Sequence, residues 1–275
     1  MMVFKIALKN LLAAGVRTWL TAFVLSLTLA SMIFMQGLMA GMLDEMSTIR
    51  INEEIAGGQI WHQLYDPYDP TTLEEANGAL PNGVQNLVEQ GEACPLLMIP
   101  GAIYPKGRFK NVVIMGVDPA QECLKVDYSP LKQSNGDGLL SVMIGKRFAD
   151  SLGLKKSDIL TIRWRTRSGA FDALDAEIVA ILHTNAPVMD RGQIYLSHEV
   201  VNKMNGTQNF STLVWVKEGV TPGAVENWVF RDFWYLMKDT LEMVKTKQTI
   251  LSRILSLCKK ILEFSYLIFF QGAFL

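Results

Sequence analysis

Hydrophobic and polar positions are distributed in three regimes along the chain. Residues 3–16 (VFKIALKNLLAAGV) alternate apolar and basic positions at helical spacing, with Phe4, Ala7, Leu8, Leu11 and Leu12 on one face and Lys5 and Lys9 off it. This pattern fits either a short basic amphipathic helix lying on a membrane or the first turns of a longer helix that bends near Gly15. From Thr18 to Leu43 no charged residue occurs over about 26 positions, enough helix to span about 39 Å and so to cross a hydrocarbon core of about 30 Å. The competing reading, a signal peptide, has an apolar core of only about 7–15 residues, and this run lacks a clean small-x-small cleavage site followed by a polar mature start. A transmembrane helix over 18–43 is therefore expected. Residues 44–55 keep helical composition but carry charge, which predicts that the helix continues out of the membrane until Gly57-Gly58 stops it.

Beyond residue 56 the period changes. Runs rich in Val, Ile, Thr and aromatics, bounded by Gly, Pro, Asn or Asp, predict strands over 59–65, 96–104, 110–117, 158–166, 174–183, 192–196 and 211–217. Helical spacing predicts helices over 83–90, 146–152 and 198–204. Pro67, Pro70 and Pro81 frame a loop, and Asn135-Gly136-Asp137-Gly138 forms a turn cluster. From Pro222, with Thr221 as its cap, the absence of Pro and Gly up to Gly272 predicts a long helix. The terminal uncharged run, Phe264–Leu275, is too short to span a bilayer. The fold class expected is α+β: an N-terminal transmembrane helix, a mixed α/β domain, and a long C-terminal stalk helix.

Charge gives the membrane run a direction. Lys5, Lys9 and Arg17 precede it with no acid, whereas Asp44, Glu45, Arg50, Glu53 and Glu54 follow it. The positive flank stays in the cytoplasm, so the N-terminus is expected inside and the α/β domain outside. On the run itself, Ala22, Ser26, Ala30, Gly37 and Gly41 fall within about 100° of one helical face, and Gly37–Gly41 is a GxxxG step. Such a face either packs a partner helix or arises by chance. The stripe Met32, Met35, Met39, Met42 and Met46 reads as lipid or helix contact rather than a metal path.

Composition narrows the chemistry. The 275 residues are 49% hydrophobic and 19% charged with a formal net charge of −1, which offers no bulk attraction to nucleic acid. Cys94, Cys123 and Cys258 form neither a CxxC pair nor a zinc spacing; Cys94 and Cys123 either pair or remain free thiols. No phosphate-loop motif, HExxH or GxSxG is present. His62, His183 and His198 are far apart and read as surface or core residues. Asp66 and Asp69 read as turn formers, and Trp61, Trp164, Trp215, Trp228 and Trp234 as core or interface anchors. No catalytic, cofactor or metal site is expected.

Three stretches, in this order, resemble the FtsX-like and MacB-like permeases of ABC transporters, including the lipoprotein-releasing LolC/LolE type. The opening KIALKNLLAAGVRTWLTAFVLSLTLA is similar to the family's A-x-x-N-L and R-T-x-L-T start, through Ala7, Asn10, Leu11, Arg17, Thr18, Leu20 and Thr21. VVIMGVDPAQE is similar to its G-[IV]-D-P step, through Gly116, Val117, Asp118 and Pro119. VMIGKRFADSLGLKKSDIL is similar to its G-x-x-x-A-x-x-L-G-[LV]-x-x-G-D pattern, through Gly145, Ala149, Leu152, Gly153, Leu154 and Asp158. A strand, a loop containing Asp190 and another strand follow in the family's order.

The resemblance implies a division into a cytoplasmic segment 1–17, a transmembrane helix 18–43, a two-lobed MacB-like periplasmic core domain 44–230, and a stalk with an incomplete second membrane segment 231–275. It implies a bacterial inner membrane location and a non-catalytic subunit that couples ATP hydrolysis by an ABC ATPase partner to movement outside the membrane. A second permease copy or paralogue would complete the assembly. Lipoprotein or lipid cargo would meet apolar positions near the membrane, namely Ile51, Ile55, Phe233 and Trp234. Two departures stand out. Ser157 replaces the glycine before Asp158, so that turn must accept a residue less tolerant of positive φ. Three later membrane helices are absent, and Lys245, Lys247, Arg253, Lys259 and Lys260 oppose a continued stay outside, which implies a permease truncated after its core domain. The alternatives are a stand-alone membrane-anchored binding or sensor domain and an anchored hydrolase.

Overall fold

The computed structural model describes residues 13, 15–132, 139–184, 192–220 and 228–232. The chain divides into one unit up to Ile49 and a second from Arg50 onward. The first is a single helix, α1 (Val16–Arg50), whose apolar part is long enough to cross a membrane and is not buried by the other described residues. Two hydroxyls of its apolar part bond within the helix: Thr28 Oγ1 donates to the Val24 carbonyl at 2.7 Å and Ser26 Oγ to the Phe23 carbonyl at 2.9 Å. That arrangement suits an apolar medium, where no water competes for them.

The second unit opens with a π-helical turn, Ile51–Ile55, and continues through β1 (Gly58–His62), β2 (Gly78–Ala79), α2 (Asn82–Glu89), β3 (Ala93–Ile103), β4 (Lys110–Val117), β5 (Leu140–Gly145), α3 (Lys146–Leu152), β6 (Ile159–Arg165), β7 (Phe171–Leu182), β8 (Gln193–Ser197), α4 (His198–Asn205), β9 (Phe210–Ser211), β10 (Leu213–Val216) and β11 (Trp228–Asp232). All seven expected strands and all three short helices form. The expected stop also forms: Ala56 turns to φ 59° immediately before Gly57-Gly58. Gly57 admits no side chain, because a Cβ there would lie 2.4 Å from the Glu218 backbone.

Nine strands form one sheet in the order β11-β1-β10-β3-β4-β8-β5-β7-β6, and β6 pairs back onto β3. Strands β3, β4, β8, β5, β7 and β6 thereby close into a ring, and β10, β1 and β11 extend from it. Strand β3 belongs to both parts. Ala93–Leu96 pair with β10, Gly101–Ile103 pair with β6, and Leu96–Ile103 pair with β4 on the opposite edge. The strand turns from one neighbour to the other at Gly101, where an added Cβ would lie 2.6 Å from Ile114 Cδ1 and 3.1 Å from the Arg163 carbonyl. Only glycine permits that approach.

Alternation along the strands fills the ring with Leu97, Ile99, Ile114, Val142, Ile144, Ile162, Ile178 and Ile194, and α3 and α4 cap it through Phe148, Leu154, Val201 and Met204. Each fully buried aliphatic side chain contributes about 1.5–3 kcal/mol. Trp164 Nε1 donates to the Met204 carbonyl at 2.7 Å and so ties β6 to the end of α4. A smaller core gathers Ile60, Leu80, Val84, Val214, Val216 and Trp228 between α2 and the extension.

One expectation fails. Residues 228–232, assigned to a helix starting at Pro222, form the edge strand β11, paired antiparallel with β1 from Gly58↔Asp232 to His62↔Trp228. WVFRD has strand-forming aromatic and β-branched residues, and the open edge of β1 supplies partners that no local pattern reveals. The sheet therefore runs past the expected domain limit at residue 230. Residues 233–275, with the rest of the expected stalk and the incomplete membrane segment, lie outside the described residues.

Candidate functional site

The helix-packing positions Ala22, Ser26, Ala30, Gly37 and Gly41 all lie on α1, and all are exposed. Space is open where a Cβ would sit at Gly37 and at Gly41. Among the described residues nothing occupies this face, which is the geometry that close helix approach requires.

The exit from α1 is built into the α/β unit by polar contacts to main-chain carbonyls. The Glu54 carbonyl accepts from Trp215 Nε1 at 3.0 Å and from Gln59 Nε2 at 3.1 Å. The Asn52 carbonyl accepts from the Lys125 N–H at 2.7 Å, and the Ile51 carbonyl from the Ala56 N–H at 2.9 Å. These bonds answer the need of a terminating helix, whose last carbonyls lack intrahelical partners. Arg50 and Glu54 pair at 3.1 Å. Ile55 is only 2% exposed and packs in the core, so the cargo-facing expectation fails for it; its side chain anchors the turn instead. Ile51 is half-buried, and Phe233 and Trp234 lie outside the described residues.

Cys94 and Cys123 form a disulfide, with Cα atoms 6.1 Å apart across 29 positions of sequence. The bond holds the segment after β4 against the start of β3, next to Trp215, the register partner of Cys94.

The motif positions resolve into structural roles. Gly116 lies where β4 passes under α4, and a Cβ there would be 2.8 Å from Val201 Cβ. Asp118 Oδ1 accepts from the Ala120 N–H at 2.8 Å and turns the chain at Pro119. Gly145 is the N-cap of α3, and Gly153 ends that helix in the left-handed conformation at φ 63°. Asp158 Oδ2 accepts from the Lys155 N–H at 2.8 Å, closing the turn in which Ser157 adopts φ 68°. The strained position expected of Ser157 is present. Arg17 lies in the first turns of α1.

His198, Ser211 and the nearby Asp118 carboxylate share composition with a hydrolytic triad. Ser211 is completely buried, and its hydroxyl is 3.4 Å from His198 Nε2. That nitrogen also lies 3.1 Å from the Phe210 carbonyl, a contact that makes it a donor rather than a base. Burial lowers the His198 pKa, so the ring stays neutral. Asn202 completes the group by accepting from the Phe210 N–H at 2.8 Å and the Thr207 hydroxyl at 2.9 Å. The cluster fastens α4 to β9. Among the described residues, no group of three or more His, Cys, Asp or Glu side chains is placed to hold a metal ion. An open cleft of about 250 Å³ lies beside the exit turn, lined by Glu53, Lys125, Asp127, Met143 and His183 among others. Tyr128, two residues beyond Val126 of that wall, is fully buried with no hydrogen-bond partner for its hydroxyl among the described residues, and burial holds its pKa far above the usual phenol range.

No family model matches the chain, and no curated protein matches it. The chain is similar to several solved structures, two of them transporter domains. One is the extracellular domain of the noncanonic ABC-type transporter YknZ from Gram-positive bacteria, at 11% identity and a TM-score of 0.39, covering 60% of this chain and 84% of that one. The other is the periplasmic region of MacB from Actinobacillus actinomycetemcomitans, at 10% identity and a TM-score of 0.43, covering 67% and 92%. Similarity at this level assigns no function.

Of the two alternatives the sequence left open for Cys94 and Cys123, the structure holds the paired one, and the π-helical form of the exit turn is the feature the sequence did not indicate. The π-turn has no distinctive signal, but the placement of Trp215 opposite Cys94 could have been sought from alternation along β3 and β10.

Proposed function

We propose that the chain is a non-catalytic membrane subunit of an ABC transporter, of the FtsX-like/MacB-like type, anchored in a bacterial inner membrane with its N-terminus in the cytoplasm and its α/β unit outside. The observation that carries this reading is the continuity from a membrane-length helix into an α/β unit whose turning points, Gly116–Pro119 and Gly145–Asp158, are the stretches that resemble the permease family. The Glu54 and Asn52 contacts suit a part that receives movement from α1, because each holds main chain rather than mobile side-chain tips, and the buried Ile55 side chain anchors the same turn. The ATPase, a second permease chain on the small-residue face of α1, and lipoprotein or lipid cargo are the partners this reading assigns.

The test joins sidedness and association. Protease added to intact spheroplasts should remove the α/β unit and leave a short membrane fragment. Gentle detergent extraction from the native host should bring down an ATPase subunit. A unit exposed outside without any associated ATPase would favour an anchored binding or sensor domain instead. A protected unit would overturn the orientation.

A further inference from the structure

Residues 119–126 lie against the exit turn, but most of their hydrogen bonds are internal. Asp118 Oδ1 accepts from Ala120 N–H, Gln121 Oε1 accepts from Leu124 N–H, and Gln121 Nε2 donates to the Leu124 and Val126 carbonyls. Apart from the disulfide, the segment is held from outside by burial of Leu124, by the ion pair of exposed Glu122 with half-buried Lys217 at 3.2 Å, and by the Lys125–Asn52 bond itself. A pair with one partner in solvent contributes little. The chain is anchored again by Tyr128 and Leu131, both buried, so loosening that begins at Cys123 ends there. The ring core, by contrast, draws on neither cysteine.

We propose that the Cys94–Cys123 disulfide is a redox-sensitive latch on the exit turn, whose opening releases residues 119–126 and unseats Asn52 while the ring remains folded. The proposal holds whether or not the chain serves a transporter. The co-reactant is a dithiol reductant. Cys94 is 7% exposed and Cys123 is half-buried, so the incoming thiolate attacks Cys123 Sγ. The Cys94–Cys123 bond breaks, Cys94 leaves as a thiolate that takes up a proton, and a mixed disulfide forms on Cys123. The second thiol of the reductant then attacks its own sulfur in that mixed disulfide, releasing Cys123 as a thiol and leaving the reductant oxidised. Two electrons pass to the protein, and an oxidant of the same class reverses the step.

Hydrogen exchange on the full chain in detergent micelles, oxidised and after treatment with dithiothreitol, tests the latch in a Cys258→Ala background. Exchange at Lys125 and Ala56, whose N–H groups bond Asn52 and Ile51, should accelerate at least about tenfold on reduction, in the manner of a local opening. Exchange at Ile99, Ile114, Ile144 and Ile194 should be unchanged, and reoxidation should restore the slow rates. The Cys94→Ala/Cys123→Ala variant should match the reduced protein; if it does not fold, reduction of the folded protein decides alone. Equal rates at Lys125 and Ala56 in both states would overturn the latch. So would simultaneous opening of the ring amides, which would make the disulfide a staple of the whole unit.

Discussion

Trp215 Nε1 donates to the carbonyl of Glu54, 161 residues earlier, at 3.0 Å. Trp215 lies on β10, 3% exposed, and Glu54 lies in the turn that follows α1, so one indole fixes the main chain at the entrance to the α/β unit. Gln59 Nε2 shares the same acceptor. Replacing Trp215 with Phe keeps most of the packing and removes one donor, at an expected cost of about 1 kcal/mol. Combining it with Gln59→Leu leaves the carbonyl without either donor and should cost more than the sum of the single changes. Urea unfolding of the four proteins in a double-mutant cycle measures the excess.

Gly116 and Val201 are packed closely enough that a methyl group at 116 has no room. Gly116→Ala should destabilise the unit by about 1–3 kcal/mol through overpacking. Adding Val201→Ala should recover part of that loss, measured as the urea midpoint. A loss that Val201→Ala leaves unchanged would show that φ, ψ or the turn at Asp118, not the contact with α4, fixes the glycine.

Ser157 holds φ 68°, a conformation that costs a residue with a Cβ about 1–2 kcal/mol. Its N–H donates to the Ile178 carbonyl at 2.8 Å, a bond any residue but proline can make. Ser157→Gly should therefore stabilise the protein by about 0.5–1 kcal/mol after the added freedom of the unfolded chain is subtracted. A raised thermal midpoint is the expected result.

His198 has a folded pKa below its ordinary value of 6.5 because burial disfavours the cation. Below that value the unfolded chain binds a proton that the folded chain resists, so the stabilising difference is present above pH 6.5 and is lost as pH falls toward the folded pKa. His62, also lowered by burial and by the charge of Arg167, acts in the same direction. The urea midpoint should fall between pH 7 and pH 5, and His198→Gln should flatten part of that slope.

Local pattern made most individual elements legible. Runs of Val, Ile, Thr and aromatics between turn residues marked β1, β3, β4, β6, β7, β8 and β10, and helical spacing marked α2, α3 and α4. Strand β5 was not expected, and its partners β7 and β8 lie far along the chain. Strand β11 was read as helix because its pairing with β1 depends on residues 170 positions away in sequence. Ring closure was invisible for the same reason: β3 pairs with β10 at one end and β6 at the other, and nothing in its eleven residues except Gly101 marks the change of partner. The candidate site divided likewise. The turn-forming motif residues could be named from sequence, whereas pairing of Cys94 with Cys123 and the burial of Ile55 depended on which strands lay side by side.

Because β3 runs unbroken through both the ring and its extension, the two parts of the α/β unit have no joint between them. A hinge needs a few residues free to change φ and ψ. Here every candidate residue from Leu96 to Ile103 is committed to the ladder with β4. Force entering at Ile51–Ile55 therefore meets a body that moves as one piece, or else breaks several main-chain hydrogen bonds together. Any flexing would be confined to the unpaired connections around it.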